Sequence, residues 1–454
     1  MSAESDVATA KPEIVSRTER WSLAGRFLFR LAFIYLVLYC WPSGGRANLL
    51  EAIPDVGPGG RLSEILQEGA QAPVRILCSW TAVHLFHLSG PVTQYQQTGS
   101  GDTTLDYIQV FCFALIALTG AIVWTLLDRS RPNYLILYAY LRLIVRITLA
   151  ITLINYGFAK IFPLQFSPPH LTQLVETYGD SSPMGLLWTF MGASDAYRIF
   201  AGAVELLGGF LLLFRRTTAV GALFSATVLL NVVLLNFCFD VPVKLYSCHL
   251  FLTCVFLLAP DLAALWRFFF AHRLARLEGV WLPRFERRGF QLSTAILQAI
   301  VILSVLFNFG YGSYSGMREL QKPASALTGV WDVAGVDAQA SSAPASGFGP
   351  AAWQEAVFED RSFGNNTTVR AKSGNWFGLK TEIADPKAQR VKLATWQRNE
   401  TGEFTFAQPD AQHLVLTGVW DGLPATIRFN RYKDGKFLLT SRGFHWISEF
   451  PFNR

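Results

Sequence analysis

The chain has 454 residues, of which 51% are hydrophobic and only 16% charged. Soluble domains carry about 25% charged residues, so most of this chain belongs in a lipid bilayer. The net charge of +6 would suit nucleic acid, but the positives sit at the ends of apolar segments, where membrane topology accounts for them, and nucleic-acid binding is set aside.

Residues 1–20 are polar and read as a disordered cytoplasmic tail carrying Lys11, Arg17 and Arg20. No A-x-A-like site follows the next apolar run, so a cleaved signal peptide is not expected. The first span covers Leu23–Trp41, closed by Pro42-Ser43-Gly44-Gly45, with Arg26 and Arg30 snorkelling toward one interface. An outer region, 42–107, places turn clusters around VRILCSWTAVHLFHLSG. That piece is short and holds Arg75, His84 and His87, which suits an interfacial or re-entrant helix. The motif Gly99-Ser100-Gly101-Asp102-Thr103-Thr104 is expected to cap the next span through Asp or Thr; the alternative puts Asp102 or Asp106 at a cavity mouth.

Further spans are expected at Ile108–Leu127, Leu141–Phe162, Tyr197–Phe214, Thr217–Phe239, Val243–Leu265 and Leu292–Phe309, each long enough to cross a core about 30 Å thick. Segments after the second, fourth and sixth spans carry Arg129, Arg131, Arg215, Arg216, Arg267, Arg273, Arg276, Arg284, Arg287 and Arg288, whereas the intervening ones are acidic. This alternation predicts seven spans with the N-terminus inside and the C-terminus outside. Cys40, Cys78, Cys112, Cys238 and Cys248 then share one side, either as small apolar residues or with a disulfide such as Cys40–Cys78.

From about Lys322 the composition changes to a Pro/Ala/Ser/Gly-rich linker with one strand-like piece. Runs of period-two character follow: TTVRAKS, WFGLKTEI, RVKLATW, GEFTFA, HLVLTGVW, TIRFNRY and KFLLTSRGFHW. LTGVWD recurs at Leu327–Asp332 and Leu416–Asp421 without matching flanks and counts as shared strand chemistry, not a repeat. The predicted fold is a membrane α-helical bundle over 21–312, a linker and first strand over 313–352, and a C-terminal all-β antiparallel barrel or sandwich over 353–454, outside the membrane. N-x-T sequons at Asn365, Asn366 and Asn399 matter only in a eukaryotic secretory host.

Several membrane segments carry residues that hydrocarbon excludes, and an ionisable residue there costs about 2.5–3.5 kcal/mol on insertion scales. Counting 1.5 Å per residue from the outer ends, Lys160 lies ~3 Å deep, Asn155 and Tyr156 ~10 Å, Glu205 and Asn231 ~12 Å, Asn236 ~5 Å and His249 ~9 Å, with Asp240 and Lys244 at the mouth. Arg146, ~24 Å from that face, reads as a cytosolic-side anchor or a separate pair. The coincidence of depth predicts one outward-opening cavity. Arg146, Ala150, Leu153, Gly157 and Lys160 form one helical stripe, and Arg198, Gly202, Glu205 and Gly209 another. Bland roles remain: interfacial anchoring for Lys160 and Lys244, interhelical hydrogen bonding for Asn231 and Asn236, and an interior hydrogen bond rather than a metal for His249, which has no second ligand at i+3 or i+4. Glu205 has no surface to reach and is the candidate proton acceptor. No P-loop, GxGxxG helix, serine triad or HExxH occurs.

The pattern Arg146…Tyr156-Gly157-Phe158-Ala159-Lys160, followed by Ala201-Gly202…Glu205-Leu206-Leu207-Gly208-Gly209, resembles the DoxX/DoxD family over Leu141–Leu265. The extra spans and the NFCFDVPVKLYSCHLFL run are similar to the transmembrane part of vitamin K-dependent carboxylases. The resemblance implies a bacterial inner-membrane protein, with Arg146, Gly157, Lys160 and Glu205 at the family positions and a link to quinone-coupled redox chemistry. The outer loop and the β-domain depart from the short family members. Gly329-Val330-Trp331 resembles the lipocalin G-x-W start. The leading expectation is a redox component acting with a quinone or other lipid-soluble molecule. The alternatives are a non-enzymatic carrier of lipid or hydrophobic cargo and a scaffold for a periplasmic protein partner.

Overall fold

A computed structural model describes residues 20–41, 49–53, 58–96, 98–273, 288–321, 327–338, 348–361, 364–385, 389–395, 400–443 and 445–446. Most of the expected tail, the sequon residue Asn399 and the side chains of Asn365 and Asn366 lie outside the described set. The chain divides into two compact units, Met1–Phe158 with Ala201–Gly312, and Ala159–Phe200 with Ser313–Arg454.

The first unit is helical. Its elements are α1 (Leu23–Tyr39), α2 (Pro58–His84), α3 (Thr104–Leu127) and most of α4 (Leu135–Ile161). Two short helices of the second unit, α5 (Leu171–Val175) and α6 (Pro183–Gly192), intervene before α7 (Asp195–Leu213), α8 (Thr218–Cys238), α9 (Lys244–Leu258), α10 (Leu262–Phe269) and α11 (Arg288–Leu320). Among the described residues five helices are long and apolar enough to cross a membrane, or six if α9 and α10, bent by 80°, count as one broken span. The remaining expected crossing is α1, whose 17 residues make a rod about 26 Å long.

The core follows α4: Leu141, Val145, Leu149, Ala150, Leu153 and Ile154 are all buried against residues of α1, α7, α8 and α9. The two α1 arginines do not snorkel. Arg26 donates to the carbonyls of Arg129 and Arg131 at 3.1 and 2.8 Å, and Arg30 to Thr125 Oγ1, the Asp128 carbonyl and Tyr134 Oη at 2.7, 2.6 and 2.9 Å. They bond the carbonyls of the segment that follows α3 and so pin the α3–α4 turn.

The helix expected only over the VRILCSWTAVHLFHLSG piece reaches back to Pro58 and is 27 residues long, with Leu62, Ile65, Ile76 and Trp80 exposed. None of the six cysteines is in a disulfide, and Cys78 and Cys112 pack with Ala82 and Ile108 between α2 and α3.

In the second unit eight strands form a closed up-and-down antiparallel barrel: β1 (Gly329–Ala338), β2 (Trp353–Arg361), β3 (Gly364–Ala371), β4 (Trp376–Asp385), β5 (Arg390–Thr395), β6 (Thr401–Asp410), β7 (His413–Trp420) and β8 (Leu423–Arg431). Closure comes from β8 pairing back on β1, with Asp332 opposite Asn430, so the sandwich alternative falls. The barrel is solid. Trp331, Trp353, Trp420, Phe358, Phe404, Phe406 and Phe429 fill it together with leucines and valines. Trp331 and Trp353 donate their indole N–H groups to the carbonyls of Leu327 and Phe348 at 2.9 and 2.8 Å, which settles the polar end of each buried ring. Arg431 lies over the Trp331 ring at 5.3 Å.

The two LTGVWD copies both send their tryptophan inward. The last expected strand, KFLLTSRGFHW, instead holds a short helix, α12 (Leu438–Ser441). On the outer barrel surface Val330 and Val357 are buried, and Glu359 caps α5, accepting from the Leu171 N–H and, at 3.2 Å, from Thr172 Oγ1.

Candidate intramembrane ligand site

Two features of the helical unit carry chemistry, and α9 contributes to both. The first is a polar layer between α4, α7 and α9. Gly157 lets α4 meet α7 backbone to backbone: a Cβ there would stand 2.8 Å from the Leu206 nitrogen and 2.9 Å from the Gly202 carbonyl oxygen. Small residues permit this approach in lipid, where packing and not water drives association. Glu205, 5% exposed, is buried on the same α7 face as Gly202 and Gly209. Tyr156 lies within electrostatic reach of Glu205, Tyr246 and Glu51. The Tyr156 and Tyr246 rings are 6.3 Å apart, and the Tyr246 hydroxyl is 3.5 Å from Thr152 Oγ1.

The second feature is a groove of about 730 Å³ walled by α1, α3 and α9. Leu28, Leu31, Ala114, Leu118 and Leu252 line its length, and Tyr35, Tyr39, His249 and Thr253 supply the polar atoms. His249 is held at both nitrogens. Nδ1 is 2.7 Å from the Leu245 carbonyl, which can only accept, so Nδ1 carries the proton and Nε2 of the neutral ring receives the Tyr35 hydroxyl at 2.6 Å. The Tyr39 ring stacks on the imidazole at 4.3 Å and 9°. The result is an apolar trough with a flat aromatic floor and one hydrogen-bonding point. Tyr246 and His249 are three residues apart on α9, about 60° in azimuth and ~4.5 Å along the axis, so the two features lie on adjacent faces of one helix.

The expected site residues do not converge on one cavity. His249 lines the groove; Glu205 and Tyr156 belong to the polar layer. Asn155 is half-buried beside them on α4, and Asn236 is buried with its Nδ2 unpartnered. Asn231 is exposed on α8: depth matched, azimuth did not. Lys160, 6% exposed, sits in the second unit with its ammonium 5.9 Å from the Phe166 ring, and its carbonyl accepts from Arg198 at 2.5 Å.

Lys244 and Asp240 form an exposed pair at 2.8 Å. Asp102 accepts the backbone N–H groups of Lys244 and Leu245 at 2.8 and 2.9 Å, capping α9 from a distant loop. Thr103 and Asp106 form a reciprocal capping box on α3. The expected cap of α3 is therefore made by Thr103 with Asp106, whereas Asp102 caps α9 instead. Arg146 bonds Thr218 Oγ1 at 3.2 Å, near the middle of α4. Sequence reasoning missed Tyr35 and Tyr39. Their i, i+4 hydroxyl-bearing rings in an otherwise apolar helix were the available signal.

The sequence profile described as DoxX matches residues 141–236, which span α4, α7 and most of α8. An uncharacterised Bacillus subtilis (strain 168) protein, YwoB, is 37% identical over 116 residues, covering 26% of this chain and 73% of that protein. No solved structure matches the chain. The matched segment carries the close α4–α7 crossing and buried Glu205, and on this extent of identity the chain belongs to the DoxX family.

Proposed function

We propose that this membrane protein binds a lipid-soluble molecule with a flat hydrogen-bonding head, a quinone being the class that fits, and takes part in a redox step on it. The observation that carries this is the groove ending on the Tyr35–His249 pair. Its volume of about 730 Å³ falls in the usual range for small-molecule sites, roughly 300–1,000 Å³. A quinone-class ring would lie beside Tyr39 and His249, the hydroxyl of its reduced form would donate to the Tyr35 oxygen, whose own proton is spent on His249, and an isoprenoid tail would run along Leu31 and Leu252. Glu205, next to Tyr156 on the adjoining face, is the carboxyl assigned to take a proton. This reading takes the N-terminus as cytoplasmic, in a bacterial inner membrane, with the barrel outside it, and the arginine-rich turns support that orientation.

A second reading, a membrane anchor whose barrel recruits a periplasmic protein, is favoured by the solid barrel interior. The same packing removes the hand-off of lipid through the barrel.

The test is mass spectrometry of lipid extracts from purified full-length protein, with His249→Leu and Tyr35→Phe beside the wild type. Wild type is expected to carry quinone in near-stoichiometric amount, with about a tenfold loss in each variant, as for one hydrogen bond to an otherwise dry head. Glu205→Gln is expected to keep the bound molecule and slow the oxidation of its reduced form by an added one-electron oxidant, the step in which two electrons leave to that oxidant and a proton leaves to the carboxylate. Extracts without quinone, or unchanged in both groove variants, sink the proposal.

A further inference from the structure

Among the described residues, five arginines of the helical spans are at least nine-tenths buried, and three have a structural explanation. Arg26 and Arg30 bond the α3–α4 turn, and Arg198 donates to the Lys160 and Ile161 carbonyls and to Asp195 at 2.5, 2.6 and 2.6 Å. Arg142 and Arg146 do not fit this pattern. They stand one turn apart on the same face of α4, and each is 8% exposed. A guanidinium has five N–H donors, yet among the described residues Arg146 makes one hydrogen bond, to Thr218, and its buried Nε has no partner. Among the described residues Arg142 reaches only the Tyr138 hydroxyl, at 3.4 Å, with its guanidinium 5.7 Å from that ring.

The charges acting on Arg146 are also wrong for a structural ion pair. They are Arg142 and Arg215, both positive. Thr218 Oγ1, which receives Arg146, donates in turn to the Arg215 carbonyl at 3.0 Å, so Arg146 reaches the turn that carries Arg215 and Arg216. None of the ion pairs among the described residues includes Arg142 or Arg146. Buried charge of one sign, with donors unspent, calls for an anion.

We infer that Arg142 and Arg146, with Arg215 at the rim, bind a phosphate-type oxyanion, the headgroup of an anionic phospholipid. Guanidinium forks match phosphate oxygens two at a time, which suits this pair better than a point anion. The same turn exposes Phe214 and Val220, apolar surface for acyl chains beside the charge. This end of the bundle also carries Arg129, Arg131 and Arg267, the bias that marks the leaflet facing the cytoplasm. The inference is independent of the groove.

Native mass spectrometry of the full-length protein in neutral detergent tests it, with phosphatidylglycerol, phosphatidylcholine and inorganic phosphate as separate probes. Wild type is expected to retain phosphatidylglycerol about tenfold over phosphatidylcholine. The double variant Arg142→Gln/Arg146→Gln is expected to lose that preference, while Arg216→Gln, an exposed arginine of the same turn, keeps it. If the double variant does not purify, wild type alone decides, because only phosphatidylglycerol should raise its melting temperature. Stabilisation by inorganic phosphate that competes with the lipid would keep the oxyanion site and assign it to a soluble anion. Equal retention of both lipids by wild type with no effect of phosphate, or an undiminished preference in the double variant, overturns the proposal.

Discussion

Gly157→Ala tests whether α4 and α7 are joined at the backbone. The added carbon would stand 2.8 Å from the Leu206 nitrogen, 2.9 Å from the Gly202 oxygen and 2.9 Å from the Leu206 Cβ. Relaxed contacts at carbon sit near 3.5–4.0 Å, so the overlap is roughly 0.6–1 Å, and two of the three atoms are backbone that cannot rotate away. Overpacking of this kind costs about 1–3 kcal/mol, against which alanine returns about 1 kcal/mol of helix propensity. The difference is about 0–2 kcal/mol, and the two immovable backbone atoms put the expected net loss at the upper end, about 2 kcal/mol.

Gly209 makes the reciprocal approach one helical stretch away, 2.9 Å from the Ala150 oxygen, and Gly209→Ala should behave alike. Gly310 is the control, since its nearest atom is Phe158 Cζ at an ordinary 3.5 Å; Gly310→Ala should be neutral or slightly stabilising. The assay is equilibrium unfolding of full-length protein in mixed micelles. If Gly157→Ala and Gly209→Ala unfold with wild type while Gly310→Ala is the weak one, the close crossing is not what holds these helices.

Two further expectations concern charges. Asp102→Ala removes the acceptor for the Lys244 and Leu245 N–H groups and should destabilise α9 by about 1 kcal/mol, seen as faster amide exchange in its first turn; unchanged exchange would refute the cap. Glu355, buried on the barrel's outer surface and opposite Asp332, has its carboxyl raised to about 6 by that burial and by the Asp332 charge. An acid raised in the folded state supports folding while protonated. The barrel should therefore lose stability as pH rises from the unfolded-state value near 4.5 to about 6, by ~1–2 kcal/mol after screening. Thermal unfolding of Glu355→Gln against wild type should show a gap in the variant's favour at pH 7.5 that closes at pH 4.5, and a constant gap would refute the assignment.

Local pattern carried much of the architecture. The Arg146–Lys160 stripe of α4 and the Arg198–Gly209 stripe of α7 are both buried as helical spacing requires. Six of the seven period-two runs are strands. The run WQEAVFEDR escaped notice because Ala356, Val357 and Phe358 are all buried: its outer face is covered too, so alternation is lost. KFLLTSRGFHW turns into α12 instead and leaves Leu438 and Leu439 exposed.

The site was harder, because counting along a helix gives depth without direction. Asn231 and Asn236 are about 140° apart on α8, and only the second is buried. The Tyr35–His249 bond joins residues 214 apart and the Asp102 cap residues 142 apart; no local period reports such pairings.

Closure of the eight-stranded ring, β8 onto β1, has a consequence for how this head meets other molecules. Every strand already has two neighbours, so no row of main-chain donors and acceptors is left to template another chain. A guest cannot extend the sheet. Recognition has to pass through side chains and turns, and two such barrels brought together have no shared ladder by which to fuse.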